Sequence, residues 1–77
     1  MLDAREIRSR LEDAFPNATV DASDSTGAGD HFAVTVVSEQ FAGKSLVERH
    51  QMVYGALSTL MPRIHALQLK TVTPSER

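Results

Sequence analysis

A chain of 77 residues without cysteine can build one domain and no disulfide, so apolar packing alone must hold it. Its 42% hydrophobic and 23% charged residues are ordinary globular values and exclude disorder for the chain as a whole. A net charge of −2 argues against avid phosphate binding, and no apolar run reaches the length of a membrane span or a signal-peptide core, which gives a cytoplasmic expectation. The charge is uneven. Residues 1–30 carry seven acids and three bases, residues 31–77 three acids and five bases, so the second half is the better, though weak, match to an anionic partner.

In chain order, residues 3–15 read as a first helix. Ile7, Leu11 and Phe15 recur at helical spacing, with Leu2, Ala4 and Ala14 near the same face. Asp3 is placed to cap it, with Glu6 at capping-box spacing, and Pro16-Asn17 ends it. Ala18 to Asp24 alternates as a strand with Val20 and Ala22 on one face. The segment from Ser25 to Asp30 holds Gly27 and Gly29 and reads as the most flexible part, a turn between strands. His31 to Ser38 is a second strand, which makes strand, loop and strand a β-hairpin.

After a turn at Phe41 to Lys44, Ser45 and Glu48 form a capping box for a second helix spanning about 46–60. Leu46, Val53, Leu57 and Leu60 give it an apolar stripe, widened by Val47, Tyr54 and Met61, and Pro62 stops it. The alternation over 64–71 predicts a third strand, with His65 near its start. Thr73-Pro74 looks like the cap and first residue of another helix, truncated or absent because the chain ends there. The order α-β-β-α-β predicts a single small α+β domain over residues 1–77. Its three-stranded sheet has helices on one face and an opposite face open to solvent.

Two blocks resemble a known family. Phe41-Ala42-Gly43-Lys44-Ser45-Leu46-Val47-Glu48-Arg49-His50-Gln51-Met52-Val53-Tyr54 resembles the F-x-G-x-[small]-x-x-x-[RK]-[HQ]-x-x-V-Y run of BolA-like proteins. So does Ile64-His65-Ala66-Leu67-Gln68-Leu69-Lys70-Thr71, followed by Thr73-Pro74. The preceding Val36-Val37-Ser38-Glu39-Gln40-Phe41 fits as well, and the hairpin loop and second helix look closest to the IbaG (YrbA) branch. The resemblance spans about residues 4 to 75. It implies a class II KH-like arrangement of the α-β-β-α-β core.

It also implies two functions. In one, the protein partners a monothiol glutaredoxin and shares a [2Fe-2S] cluster with it and with glutathione, no cluster being expected in the isolated protein. In that role the histidine of the I-H-A block, here His65, is one ligand, and a Cys or His of the hairpin loop is the second. The other function is that of a DNA-binding transcription regulator. Beyond these partners the chain is expected to be a monomer or weak homodimer with no membrane role.

The residues themselves set limits on each function. Read alone, His65 is more simply a satisfied, half-buried histidine at a sheet end, and the family block is what makes it a metal candidate. The loop position that carries cysteine in other members is Ala28, which binds no metal. His31 therefore becomes the candidate second ligand, beside the alternative of an exposed residue at a strand start. Asp30 is a poorer oxygen donor and reads chiefly as a turn-former. On ideal strands His31 and His65 would face opposite sides, and they converge only if one sits in irregular backbone, which Gly27 and Gly29 would allow at His31. His50 falls on the helix stripe and reads as structural, bonded to a backbone group at the helix–sheet seam.

For nucleic acid the candidates are Lys44, Arg49, Arg63 and Lys70. The Gly-x-x-Gly loop of KH domains is missing, since Gly27-Ala28-Gly29 has the wrong spacing and Gly43 stands alone. Phe15, Phe32, Phe41 and Tyr54 are few and mostly at core positions, so DNA binding should be weak and salt-sensitive. An enzyme is not expected: there is no cysteine nucleophile, no Gly-x-Ser-x-Gly elbow and no phosphate-binding P-loop.

Overall fold

The structure is a computed structural model and describes residues 2–77. Its elements are α1 (Ala4–Ala14), β1 (Thr19–Asp24), β2 (His31–Val37), α2 (Leu46–Ala56) and β3 (Ala66–Val72). Three short 3-10 turns join or follow them, at Glu39–Phe41, Met61–Arg63 and Pro74–Glu76. The sheet order is β1-β2-β3, with β1 antiparallel and β3 parallel to the central β2. The α-β-β-α-β order and the three-stranded sheet are those expected. A parallel return needs a long crossover, and α2 supplies it.

Cross-strand pairing explains the core. Val20 pairs with Val36, Ala22 with Val34, Phe32 with Leu67 and Val34 with Leu69, so one face of the sheet is apolar. Ile7, Leu11 and Phe15 from the α1 side and Val53 and Leu57 of the α2 side are buried with it. Phe41, delivered by the first 3-10 turn, is fully buried and meets Phe15 at 5.3 Å between ring centroids. On the other face, Asp21, Thr35 and Lys70 form one cross-strand row and Ser23, Ala33 and Gln68 the next.

Several local expectations are corrected. Asp3 caps α1 by accepting from the Arg5 amide, but Glu6 does not close a capping box and its carboxylate lies 3.8 Å from Arg63. The second helix ends at Ala56, not near residue 60. Gly55, Ser58 and Thr59 are weak helix formers, and Pro62 bars continuation, so the chain leaves by a turn into the Met61–Arg63 3-10 segment. Its stripe is narrower than expected, because Leu46, Val47 and Tyr54 are exposed. Val47 and Tyr54 lie about 120° and about 100° round the helix from Val53, on the same side. Leu46 shares the Val53 side but is the first helical residue, a turn before the half-buried Arg49 and His50.

His50 does not make the expected bond to the backbone. Its Nε2 is buried and has no hydrogen-bond partner among the described residues, and its ring packs edge-on against Tyr54 at 6.3 Å. The β3 carbonyl at that seam, Thr71 O, is approached instead by Arg49 at 3.4 Å. Strand β3 begins at Ala66, which leaves His65 outside it. The terminal segment does form a turn: Thr73 and Glu76 make a reciprocal capping box around Pro74–Glu76. No helix among the described residues is long and apolar enough to cross a membrane.

Candidate metal centre

The hairpin loop is tied down by one carboxylate. Asp24 accepts from the amides of Thr26 at 3.2 Å, Gly27 at 2.8 Å and Gly29 at 2.9 Å. Gly27 and Gly29 sit at φ +80° and +79°, a region that costs other residues strain. The Ser25 amide donates to His31 O at 2.8 Å and closes the hairpin. The segment expected to turn between the two strands does so, bonded around Asp24.

From that turn the chain enters β2 at His31. Its Nδ1 lies 2.8 Å from Asp30 Oδ1. The main-chain carbonyl of Asp30 accepts two further bonds, from the His65 amide at 2.7 Å and the Ala66 amide at 3.1 Å. His65 occupies the bend between the Met61–Arg63 turn and β3, and is exposed. The two imidazoles lie 5.0 Å apart between centroids, tilted by 55°.

This geometry removes the parity conflict by an unexpected route. His31 pairs with Ala66, so His65 sits one residue outside the ladder and is not bound by the pleat. The irregular backbone is at His65, while His31 is regular strand. The sequence placed the irregularity in the glycine loop. The electrostatics follow from the same contacts: the hydrogen bond from His31 holds the Asp30 carboxyl below its ordinary range, and the charges of His31 and His65 add to this.

Chemically, the site offers two imidazole nitrogens and no thiolate. Among the described residues no group of three or more His, Asp or Glu side chains is placed to hold a metal ion. A metal ion held by this pair would need further ligands from another molecule. Two histidines on one iron, with thiolates on the other, is a known [2Fe-2S] ligand set, so the donors fit such a cluster. By its residue type Asp30 is an oxygen donor or a turn-former. Its carboxylate and carbonyl are both engaged in holding the histidines, a role only the register of β2 against β3 reveals.

The basic candidates do not form one surface. The Arg49 side chain is only 13% exposed, and its guanidinium holds both Glu76 oxygens at 2.7 and 3.0 Å. Arg63 lies near Glu6, and Lys70 stands on the open sheet face. Lys44 precedes α2 and Arg63 follows it, so that helix stands between them in the chain.

Comparison with known proteins bears on the whole chain. The family model described as BolA-like protein matches residues 6–76. The acid stress protein IbaG of Escherichia coli is 40% identical over 97% of this chain and 88% of its own length. The DNA-binding transcriptional regulator BolA of Escherichia coli is 32% identical, over 99% of this chain and 80% of its own. The crystal structure of a bol-like protein from Babesia bovis superposes with a TM-score of 0.88 at 32% identity, covering 99% of this chain and 90% of that one. A match running through both helices, all three strands and the histidine bend leaves no element unaccounted for, and the chain belongs to the BolA-like family.

Proposed function

We propose that this chain is a non-enzymatic adaptor that partners a monothiol glutaredoxin and contributes His65 and His31 to a shared [2Fe-2S] cluster, for iron–sulfur trafficking or iron sensing. The observation that carries this reading is the pair of imidazoles 5.0 Å apart at one end of the sheet, with no further metal-binding side chain grouped with them among the described residues. Such a half-site suits a partner that brings thiolates, here the glutaredoxin cysteine and glutathione. Histidine in place of thiolate raises the potential of the bound cluster. His65, exposed and outside the ladder, is the principal ligand, and His31 the second.

The test is reconstitution with a monothiol glutaredoxin, glutathione, ferrous iron and sulfide, read by visible absorption and circular dichroism. The wild-type mixture should give a spectrum distinct from that of the glutaredoxin homodimer, and His65→Ala should return it to the homodimer form. A wild-type spectrum identical to the homodimer's, or one that ignores His65→Ala, defeats the reading.

A second reading, DNA binding, is favoured by the relative named as a DNA-binding transcriptional regulator. It is the weaker, because Arg49 is engaged by Glu76 and the remaining bases are dispersed. Titration of duplex DNA at two salt concentrations decides it, and absence of binding at low salt disposes of it.

A further inference from the structure

We propose that Asp30 is the positioning residue of the histidine pair: its carboxylate fixes which nitrogen His31 presents, and its main-chain carbonyl fixes where His65 stands. The inference rests on the cluster-adaptor reading for its purpose, but its geometry stands by itself. An ionised carboxylate only accepts hydrogen bonds, so Nδ1 of His31, 2.8 Å from Asp30 Oδ1, carries the proton. In a neutral imidazole that leaves the lone pair on Nε2, at the outer tip of the ring. Without a partner, an imidazole in water favours the opposite tautomer and would offer Nδ1, the nitrogen crowded by its own backbone. A carboxylate on the non-ligating nitrogen also makes the ligating one more basic.

The carbonyl does the second task. Asp30 O accepts from both His65 N and Ala66 N, at 2.7 and 3.1 Å, and so joins the hairpin end to the start of β3. Asp30 and His31 are adjacent in the chain, so the same residue sets the ring of one histidine and the backbone of the other. The His31 ring and the main chain that carries His65 are thereby set before any partner arrives.

Two measurements test this. In the protein without cluster, long-range 1H–15N correlation at about pH 8 reads each tautomer directly. Wild-type His31 should be predominantly the Nδ1–H form. Asp30→Ala removes the carboxylate but keeps the carbonyl. It should shift His31 to the Nε2–H form while the His65 amide stays protected from hydrogen exchange. Wild-type His31 in the Nε2–H form, or a tautomer ratio unmoved by Asp30→Ala, overturns the proposal even if the variant folds poorly, since the wild-type spectrum alone can refute it.

In the second measurement, the reconstituted glutaredoxin complex is challenged with a chelator. Asp30→Ala should hold its cluster about 10-fold more weakly than wild type, the lower end for loss of such an outer partner. Equal retention by Asp30→Ala, with His65→Ala losing the cluster, overturns the positioning role. A His65→Ala mixture that keeps the wild-type complex spectrum defeats the adaptor reading instead, and the tautomer measurement then judges Asp30 by itself.

Discussion

A single guanidinium gathers three segments of the chain. Arg49 donates to Lys44 O ahead of α2, reaches Thr71 O on β3, grips both oxygens of Glu76 and lies 6.0 Å from the centre of the Phe41 ring. Glu76 Oε1 also accepts from the Thr73 amide at 2.9 Å. The Arg49 hydrogen bond, with the Thr73 amide next, pulls the Glu76 carboxyl down from 4.5 to about 2. A carboxylate whose folded value is depressed adds stability above its unfolded value and loses it as pH falls through the folded one. The contribution of Glu76 is thus whole above about pH 4.5 and fades toward about pH 2. Urea unfolding of wild type and Glu76→Gln across that window should show the variant less stable at neutral pH and the gap closing in acid. A gap that is the same at every pH would refute the assignment. In the sequence Arg49 was legible only as a positive charge, because its partner lies 27 residues further on.

At the scale of elements, the local chemistry of caps and turns was the most readable. Ser45 and Glu48 close the capping box of α2, Thr73 and Glu76 close another, and Pro16-Asn17 stops α1 with Asn17 at φ +69°. These signals are carried by neighbours in the chain, so no tertiary knowledge is needed to see them. Lengths and faces were less legible. The pattern runs α2 and β3 too far toward each other, since an apolar period continues through Leu57, Leu60 and Ile64 although the backbone has left the helix. The hairpin loop offers a clean test of the backbone argument. A Cβ on Gly27 would meet nothing within 4 Å, so Gly27→Ala introduces no clash, only a left-handed alanine at φ +80°. That should cost about 1 kcal/mol by urea unfolding. A neutral result would mean that the loop relaxes out of its Asp24-bonded form.

For the whole molecule, fold class and strand count were legible because two helical periods and three alternating runs can be packed in few ways. The candidate site was legible only in its parts. His31 and His65 could each be named, yet their meeting depends on the parallel register of β2 with β3, a contact between distant residues that no local pattern encodes. Pleat parity even argued against it. What defeats parity is the shared carbonyl of Asp30, which halts β3 one residue short of His65. The same bond has a thermodynamic side. An unfolded chain holds the two imidazoles apart, and they become neighbours only when β3 docks beside the hairpin. Any ligand that needs both rings must then draw its chelate from the native state alone, and its binding is coupled to folding. With the cluster-bearing glutaredoxin at about 100 times its Kd, the native state should gain about 2.7 kcal/mol. Amides of Ala66–Val72 that exchange by global unfolding should slow about 100-fold, an effect absent in His65→Ala. Were the proposed cluster bound by both rings, it would also clamp β3, and its release would loosen the fold that held it.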